Sequence, residues 1–422
     1  MSPLGELIAP RRLGRDFRWL LASSWTSNIG DGIALSAAPL LLASLTSSPL
    51  LVAAGAMMQF LPWLLCGLVA GSIADHHDRR RLVMLANGSR AVIVLGLVVF
   101  LATGQVTVAV VLASAFLYGT AEVFADTAGS TLMPMLVRPG DLGIGNTRLQ
   151  AGYLVGNQLA GPPLGAFLFA LGSFWPFLLQ IVCVSLAVVL ISRIARTPVP
   201  AKDEPTTDAP KVHPIREGLQ WLRAHPPVRT LVVIILVFNV TWAAPWSILV
   251  LYATEHLDMG AVGFGALTTA SAIGGLAGTA CFGWLERHVS FATLMRVCLS
   301  LEVLMHLALA LTTIPAVAFI IMFGFGAYAF IWGTISTTVR QRLVPLHLQG
   351  RIASVNMVGV FGGLVIGQLL GGLIAQGWGL TAPWWFAFGG SAITLLLVWR
   401  SISHIAAARP VLGEPDRDDD AA

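Results

Sequence analysis

Residues 71–83 read GSIADHHDRRRLV, a compact charged turn holding two acids, two histidines and three consecutive arginines between long apolar runs. Outward from this turn the basic residues mark out the chain. No Lys or Arg occurs in the 60 residues between Arg18 and Arg79, the 47 between Arg90 and Arg138, or the 44 between Arg148 and Arg193. The pattern returns in the second half, with gaps of 57 residues from Arg229 to Arg287, 43 from Arg296 to Arg340 and 48 from Arg351 to Arg400. A membrane-spanning helix needs about 20 apolar residues. Each gap therefore holds two helices and a short turn, and all the basic residues collect on one side, which the positive-inside bias makes the cytoplasm. The expectation is an all-α membrane protein of twelve transmembrane helices with both termini cytoplasmic, which in a bacterium places it in the inner membrane.

Composition agrees. The chain is 56% hydrophobic and 11% charged, against roughly 25% charged in a soluble domain. A net charge of +4 and a pI near 9.1 do not imply nucleic acid, because the arginines flank apolar spans. Cys66, Cys183, Cys281 and Cys298 lie within apolar runs without metal-like spacing and read as buried thiols rather than a disulfide framework. Arg11, Arg12, Arg15 and Arg18 precede an apolar run from Trp19 to about Leu45, too long for the core of a signal peptide.

The spans fall near 17–45, 50–73, 82–102, 106–132, 146–170 and 174–193, then 229–253, 261–285, 292–312, 315–339, 352–376 and 383–400. This gives an N-terminal six-helix bundle over 1–193, a cytoplasmic linker over 194–228, a C-terminal six-helix bundle over 229–400 and a disordered cytoplasmic tail over 401–422. The linker contains TPVPAKDEPTTDAPKVHP, a flexible Pro-rich composition. Ile215, Leu219 and Leu222 then follow at helical spacing beside Arg216 and Arg223, as in a short interfacial helix or a solvated loop. A shift of 207 residues places Gly119, Thr127, Thr131, Gly152, Gly156 and Gly165 on Gly326, Thr334, Thr338, Gly359, Gly363 and Gly372. Two pseudo-symmetric halves with a substrate site between them are the plan of a rocking transporter.

The 71–83 turn resembles the signature loop of the major facilitator superfamily, with Gly71, Asp75, Arg79 and Arg80 in its recurring positions. His76 departs where a basic residue is usual, and Asp78 where a Gly is usual. SNIGDGIALSAAPLLLASLTSSPL (27–50), LAGPPLGAFLF (159–169), EGLQWLRAHPPVR (217–229) and LVPLHLQGRIASVN (343–356) look like the bacterial drug and siderophore exporters, macrolide-efflux and enterobactin-export proteins among them. The resemblance implies the major facilitator fold, alternating access and a conformational latch formed by Gly71, Asp75, Arg79, Arg80 and Arg90. LAGPPLGAFLF also resembles the Gly-Pro signature of antiporters, although its glycines equally permit close helix packing. The fourth-span Arg of many drug-proton antiporters has no counterpart, since Ala115 stands in its place.

Charged side chains inside a span are costly and mark function by default. Asp31, beside Asn28 in the first span, has no basic residue near it in sequence and suits a proton carrier or a hydrogen-bonded structural carboxyl. Glu122 and Asp126 are four apart in the fourth span, as an ion-pair cluster with Arg79 and Arg90 or as proton sites. Glu302 and His306 in the ninth span read as a structural pair. Asn28, Tyr118, Asn239, Trp242, Trp246, Tyr328 and Trp332, with Phe323 and Phe325, are candidate cavity residues for a bulky substrate. No nucleophile-base or metal spacing points to an enzyme, and no GxxxxGK[ST] loop points to ATP.

The expected function is proton-coupled efflux of amphiphilic drugs or natural products by a monomer, with no cofactor. The alternatives are a dedicated siderophore or metabolite exporter, or a non-transporting membrane sensor. A cysteine introduced at Ala261 is expected to react with an impermeant maleimide on intact cells, and one at Thr206 only after permeabilisation. Labelling of Thr206 from outside would invert the topology.

Overall fold

The computed structural model describes residues 10–195, 220–345 and 348–407. Eleven of its helices are long and apolar enough to cross a membrane, and Trp175–Ile191 is a twelfth, shorter apolar helix. We number them α1 Arg15–Leu45, α2 Pro49–His76, α3 Arg79–Ala102, α4 Val108–Leu136, α5 Pro139–Leu171, α6 Trp175–Ile191, α7 Pro226–Trp246, α8 Ala261–His288, α9 Phe291–Leu311, α10 Pro315–Leu343, α11 Gln349–Trp378 and α12 Ala382–Ala407. No strand occurs among the described residues. Helices are what the bilayer permits, since each backbone N–H and C=O finds its partner within the span. The outer surface is apolar, with Leu85 and Leu396 fully presented to the lipid zone.

The helices outrun the expected spans at their charged ends. Asp78 caps α3 by accepting a hydrogen bond from the Arg81 N–H at 3.2 Å, so the signature turn itself is tight and α2 is helical through His76. At the other end of the chain α12 continues to Ala407, into the stretch expected as tail. Residues 408–422 and most of the linker lie outside the described residues. Of the expected interfacial helix, residues 220–224 are helical and Leu222 is buried against the C-terminal half.

The two halves repeat each other. In the first, α1 packs on α5 and α6, α2 on α4, and α3 on α4 and α6; in the second, α7 packs on α11 and α12, α8 on α10, and α9 on α10 and α12. The repeat seen in sequence is a repeat of helix crossings. Gly156 of α5 lies against Ile29 of α1 as Gly363 of α11 lies against Leu236 of α7. Gly119 of α4 lies against the Gln59 backbone of α2 as Gly326 of α10 lies against that of Ser271 in α8. Small residues at these points allow the backbones to touch.

A close crossing also joins α1 to α5. A Cβ at Gly32 would collide with the Gly156 and Asn157 carbonyls, and one at Gly161 with the Gly32 backbone. Here α5 widens into a π turn over Tyr153–Ala160, where the Gly161 N–H bonds to the Gly156 carbonyl five residues back. Pro162 and Pro163 explain the widening: neither has an N–H for the carbonyl four residues before it, so the regular ladder cannot run through them. Ser36 of α1 donates to the Pro162 carbonyl at 2.7 Å. The Gly-Pro motif thus serves close packing.

The halves meet along α2 with α11 and α5 with α8. At the membrane face opposite the chain ends, Gly372 lies against Leu50 and Ala53, and Gly265 against Ala166 and Pro162. Deeper in, Trp63 stacks on Phe361 with centroids 5.1 Å apart. Nearer the face carrying the chain ends, Gly71 meets nothing within 4 Å of a Cβ built on it. Gly161→Val should therefore destabilise the fold by at least the about 1–3 kcal/mol of an overpacked site. Gly88→Ala, which faces open space, should be neutral within about 1 kcal/mol. Thermal unfolding of the purified variants in detergent compares them.

Candidate functional site

A cavity of about 220 Å³ lies between the halves, in the part of the membrane farther from the chain ends, with walls from both halves. Apolar residues such as Leu42, Val52, Phe60, Trp246 and Phe264 make most of its surface. Its polar groups include Gln59, Ser114, Tyr118, Gln158, Gln180, Ser271 and Gln368. Two of its polar atoms are shut from water without a protein partner, the Gln368 Oε1 and the indole N–H of Trp242. Buried polar atoms are normally paired.

Beneath the cavity floor, three helices converge on one buried ion pair. Arg90 of α3 is 1% exposed and Asp31 of α1 is 8% exposed. The Arg90 Nη2 donates to the Asp31 Oδ1 and to the Tyr118 hydroxyl of α4 at 2.6 Å. That hydroxyl donates in turn to the same Asp31 oxygen at 2.5 Å. The guanidinium lies over the Tyr118 ring, 4.5 Å from its centroid, and its Nη1 donates to Asn87 at 2.7 Å. A lone charge in hydrocarbon is prohibitive, and this pairing with added hydrogen bonds is what makes it tenable.

This corrects the expectation for Asp31 and Arg90. Asp31 has no counterion near it in sequence, but α3 delivers one from 59 residues away. Arg90 accordingly belongs to the core and not to the signature turn. Glu122 and Asp126 lie one and two turns from Tyr118 along α4 and remain close enough to Arg90 for their charges to act on it. Among the described residues neither forms an ion pair with Arg79.

Among the described residues, the polar contacts of Arg79 and Arg80 stay within the first half. Arg79 approaches Asp75 at 3.7 Å and the Met135 sulfur at 3.2 Å. Arg80 donates to the backbone carbonyls of Ile191 and Ser192 at 3.3 and 2.5 Å, holding the end of α6.

The expected cavity residues divide. Tyr118 and Trp246 line the central cavity, and Trp242 forms part of its wall. Asn239, Trp242, Tyr328 and Trp332 line a second pocket, of about 250 Å³, within the second half. Asn28 lines neither, because its amide donates to the Ser24 carbonyl one turn back at 2.8 Å. Phe325 also lines the second pocket, and Phe323 is an exposed residue outside both. The glutamines of the central cavity escaped the sequence reading. A Gln inside an apolar span was the available signal, since its amide requires a partner there. All four cysteines are free thiols, with Cys183 and Cys298 buried.

Over residues 7–415 the sequence matches the family described as transmembrane secretion effectors. The chain belongs to that family, within the major facilitator superfamily. Members of this kind are transporters, and the relatives of this effector agree. It is 28% identical over 382 residues to the multidrug efflux pump Tap of Mycolicibacterium fortuitum, covering 86% of this chain and 90% of Tap. Its fold is that of a bacterial homologue of the iron transporter ferroportin in the inward-facing state, with a TM-score of 0.72 at 18% identity over 93% of this chain and 99% of the other. The nucleoside transporter NupG gives a TM-score of 0.69 at 10% identity, over 94% of this chain and 100% of NupG. The chain is thus a transporter and not an enzyme, with twelve apolar helices among its described residues.

Removing one partner of the buried pair should cost far more than removing both. Arg90→Ala, which strands Asp31, is expected to destabilise the protein by about 3–5 kcal/mol. The double variant Asp31→Asn with Arg90→Gln should recover a substantial part of that loss. Chemical denaturation of the two proteins in micelles measures the difference.

Proposed function

We propose that this protein exports amphiphilic small molecules from the cytoplasm and drives them with protons moving the other way. The observation that carries the reading is the Asp31–Arg90–Tyr118 triad placed where the central cavity meets the α4 acids. Tyr118 is at once a wall of the cavity and a ligand of the ion pair. Substrate and proton thereby act on one set of side chains. The carboxylates step away from the cavity along α4 at four-residue spacing, from the triad to Glu122 and then to Asp126, which is exposed. Such a series gives a proton a path between the triad and the face bearing the chain ends.

In this reading that face is the cytoplasm, because the short loops there carry the arginines. The small-residue contacts at the opposite face close the outer gate, while the polar contacts of Arg79 and Arg80 among the described residues stay within their own half. The arrangement is that of a protein open inward, with Asp31 deprotonated and held by Arg90. When the cavity opens outward, a proton reaching Asp31 would replace Arg90 as the neutralising partner and release the tie between α1, α3 and α4. Return to the inward state would deliver that proton through Glu122 and Asp126. Coupling follows because the two states bind the proton with different partners. The mostly apolar cavity and its kinship with a multidrug pump support amphiphiles as cargo.

Asp31→Asn separates the driven from the passive process. Proteoliposomes carrying this variant should exchange ethidium down its gradient at a rate within about threefold of the parent, with uphill efflux under an imposed pH difference abolished. Retained uphill efflux would exclude Asp31 as the coupling site.

A further inference from the structure

The second pocket lies near mid-membrane inside the C-terminal half, formed by α7, α9 and α10 and separated from the central cavity by Trp242, which lines both. We infer that this pocket, bounded by Asn239, Trp242, Glu302, Phe325, Tyr328 and Trp332, binds a lipophilic organic cation. The inference rests on the export reading only in taking that cation for cargo.

Three observations converge. First, the pocket holds a carboxylate with no permanent counter-charge. Glu302 is 8% exposed, and the Tyr328 hydroxyl donates to its Oε2 at 2.8 Å. Its remaining oxygen faces His306 at 3.6 Å, beyond hydrogen-bond reach. No Arg or Lys among the described residues pairs with it. His306 is fully buried with neither ring nitrogen hydrogen-bonded, a setting in which an imidazolium would be a costly unsolvated charge. The contrast with the first half is direct, for there the acid is closed off by Arg90, whereas here the place of that cation is open to a ligand.

Secondly, aromatic side chains make up much of the wall around this carboxyl group. Trp242 and Phe325 lie nearly parallel with centroids 6.3 Å apart, and Tyr328 meets Phe325 edge-on at 5.6 Å. Trp332 completes the wall. Ring faces are electron-rich and attract a cation, most strongly where water is excluded. A diffuse, poorly hydrated charge such as a quaternary ammonium or phosphonium gains both terms, while Asn239 leaves one polar edge. Thirdly, the pocket holds about 250 Å³, room for an aryl-bearing head group and too much for a metal ion to fill. The described residues contain no group of His, Cys, Asp and Glu suited to one.

The test uses the full chain in lipid nanodiscs with two ligands of similar shape, tetraphenylphosphonium and the uncharged triphenylphosphine oxide. Glu302→Gln should weaken phosphonium binding by about tenfold or more and leave phosphine oxide within about twofold. Unchanged phosphonium affinity, an equal loss for both ligands, or a parent protein that binds no phosphonium overturns the site. A diazirine-bearing phosphonium on the unsubstituted protein makes the result independent of how the variant folds. Cross-links should map to residues 239–242, 298–302 and 325–332; confinement to the central cavity, at residues 34–42 or 264–271, overturns the assignment. Glu302-dependent binding without any efflux from energised vesicles would remove the export reading and leave the site standing. Efflux with binding indifferent to Glu302 would do the reverse.

Discussion

A guanidinium held in the middle of a membrane has to be answered by a carboxylate, and that requirement organises the first half of this transporter. Arg90 draws Asp31 of α1 and Tyr118 of α4 to one point. Fixing the three helices at that point sets the floor of the central cavity. Such a pair adds little net stability over an apolar filling of the same shape, because desolvation consumes most of the attraction. What it supplies is a side-chain arrangement whose energy depends on one proton, and a transporter requires such an element if an ion gradient is to move it.

Around this polar point the rest of the structure is glycine against backbone. The α1–α5, α7–α11, α2–α4 and α8–α10 crossings all bring main chains into contact. In lipid, helix association has no hydrophobic drive of its own and relies on such packing. The cavity exists where these approaches stop, between the α2–α11 and α5–α8 seams. Its apolar walls follow from the same economy, since side chains that need no partner can stand on a surface that changes its exposure.

The sequence made the architecture legible because topology is encoded locally. Lys and Arg at the ends of apolar runs mark the boundary between water and lipid, and each run is long enough to be read alone. The internal repeat was legible for a similar reason, as paired glycines record paired crossings. Asp31 was recognisable as an unusual acid, but its partner was not, since only the packing of α1, α3 and α4 brings residue 90 to residue 31. Glu302 was legible only in part, for a related reason. Its four-residue spacing from His306 is visible in sequence and pointed inward to a satisfied pair, whereas the Tyr328 hydroxyl and the aromatic pocket come from α7 and α10. The Gly-Pro motif of α5 was ambiguous until the backbone of α1 was placed against it.

The widened turn of α5 has a bearing on how the molecule moves. A π turn stabilised by weak hydrogen bonds can migrate along a helix and act as a hinge, but Pro162 and Pro163 withhold the N–H groups that a regular helix would need here in any conformation. The turn is therefore frozen in place, and Ser36 pins it to α1. With the backbones of Gly32 and Gly161 in direct apposition, neither helix can slide past the other without a main-chain collision. The α1–α5 pair must travel as one rigid strut. The flexure that exchanges access from one side of the membrane to the other then has to occur where that strut meets α3 and α4, and the buried ion pair that fastens them there is one that a proton can undo.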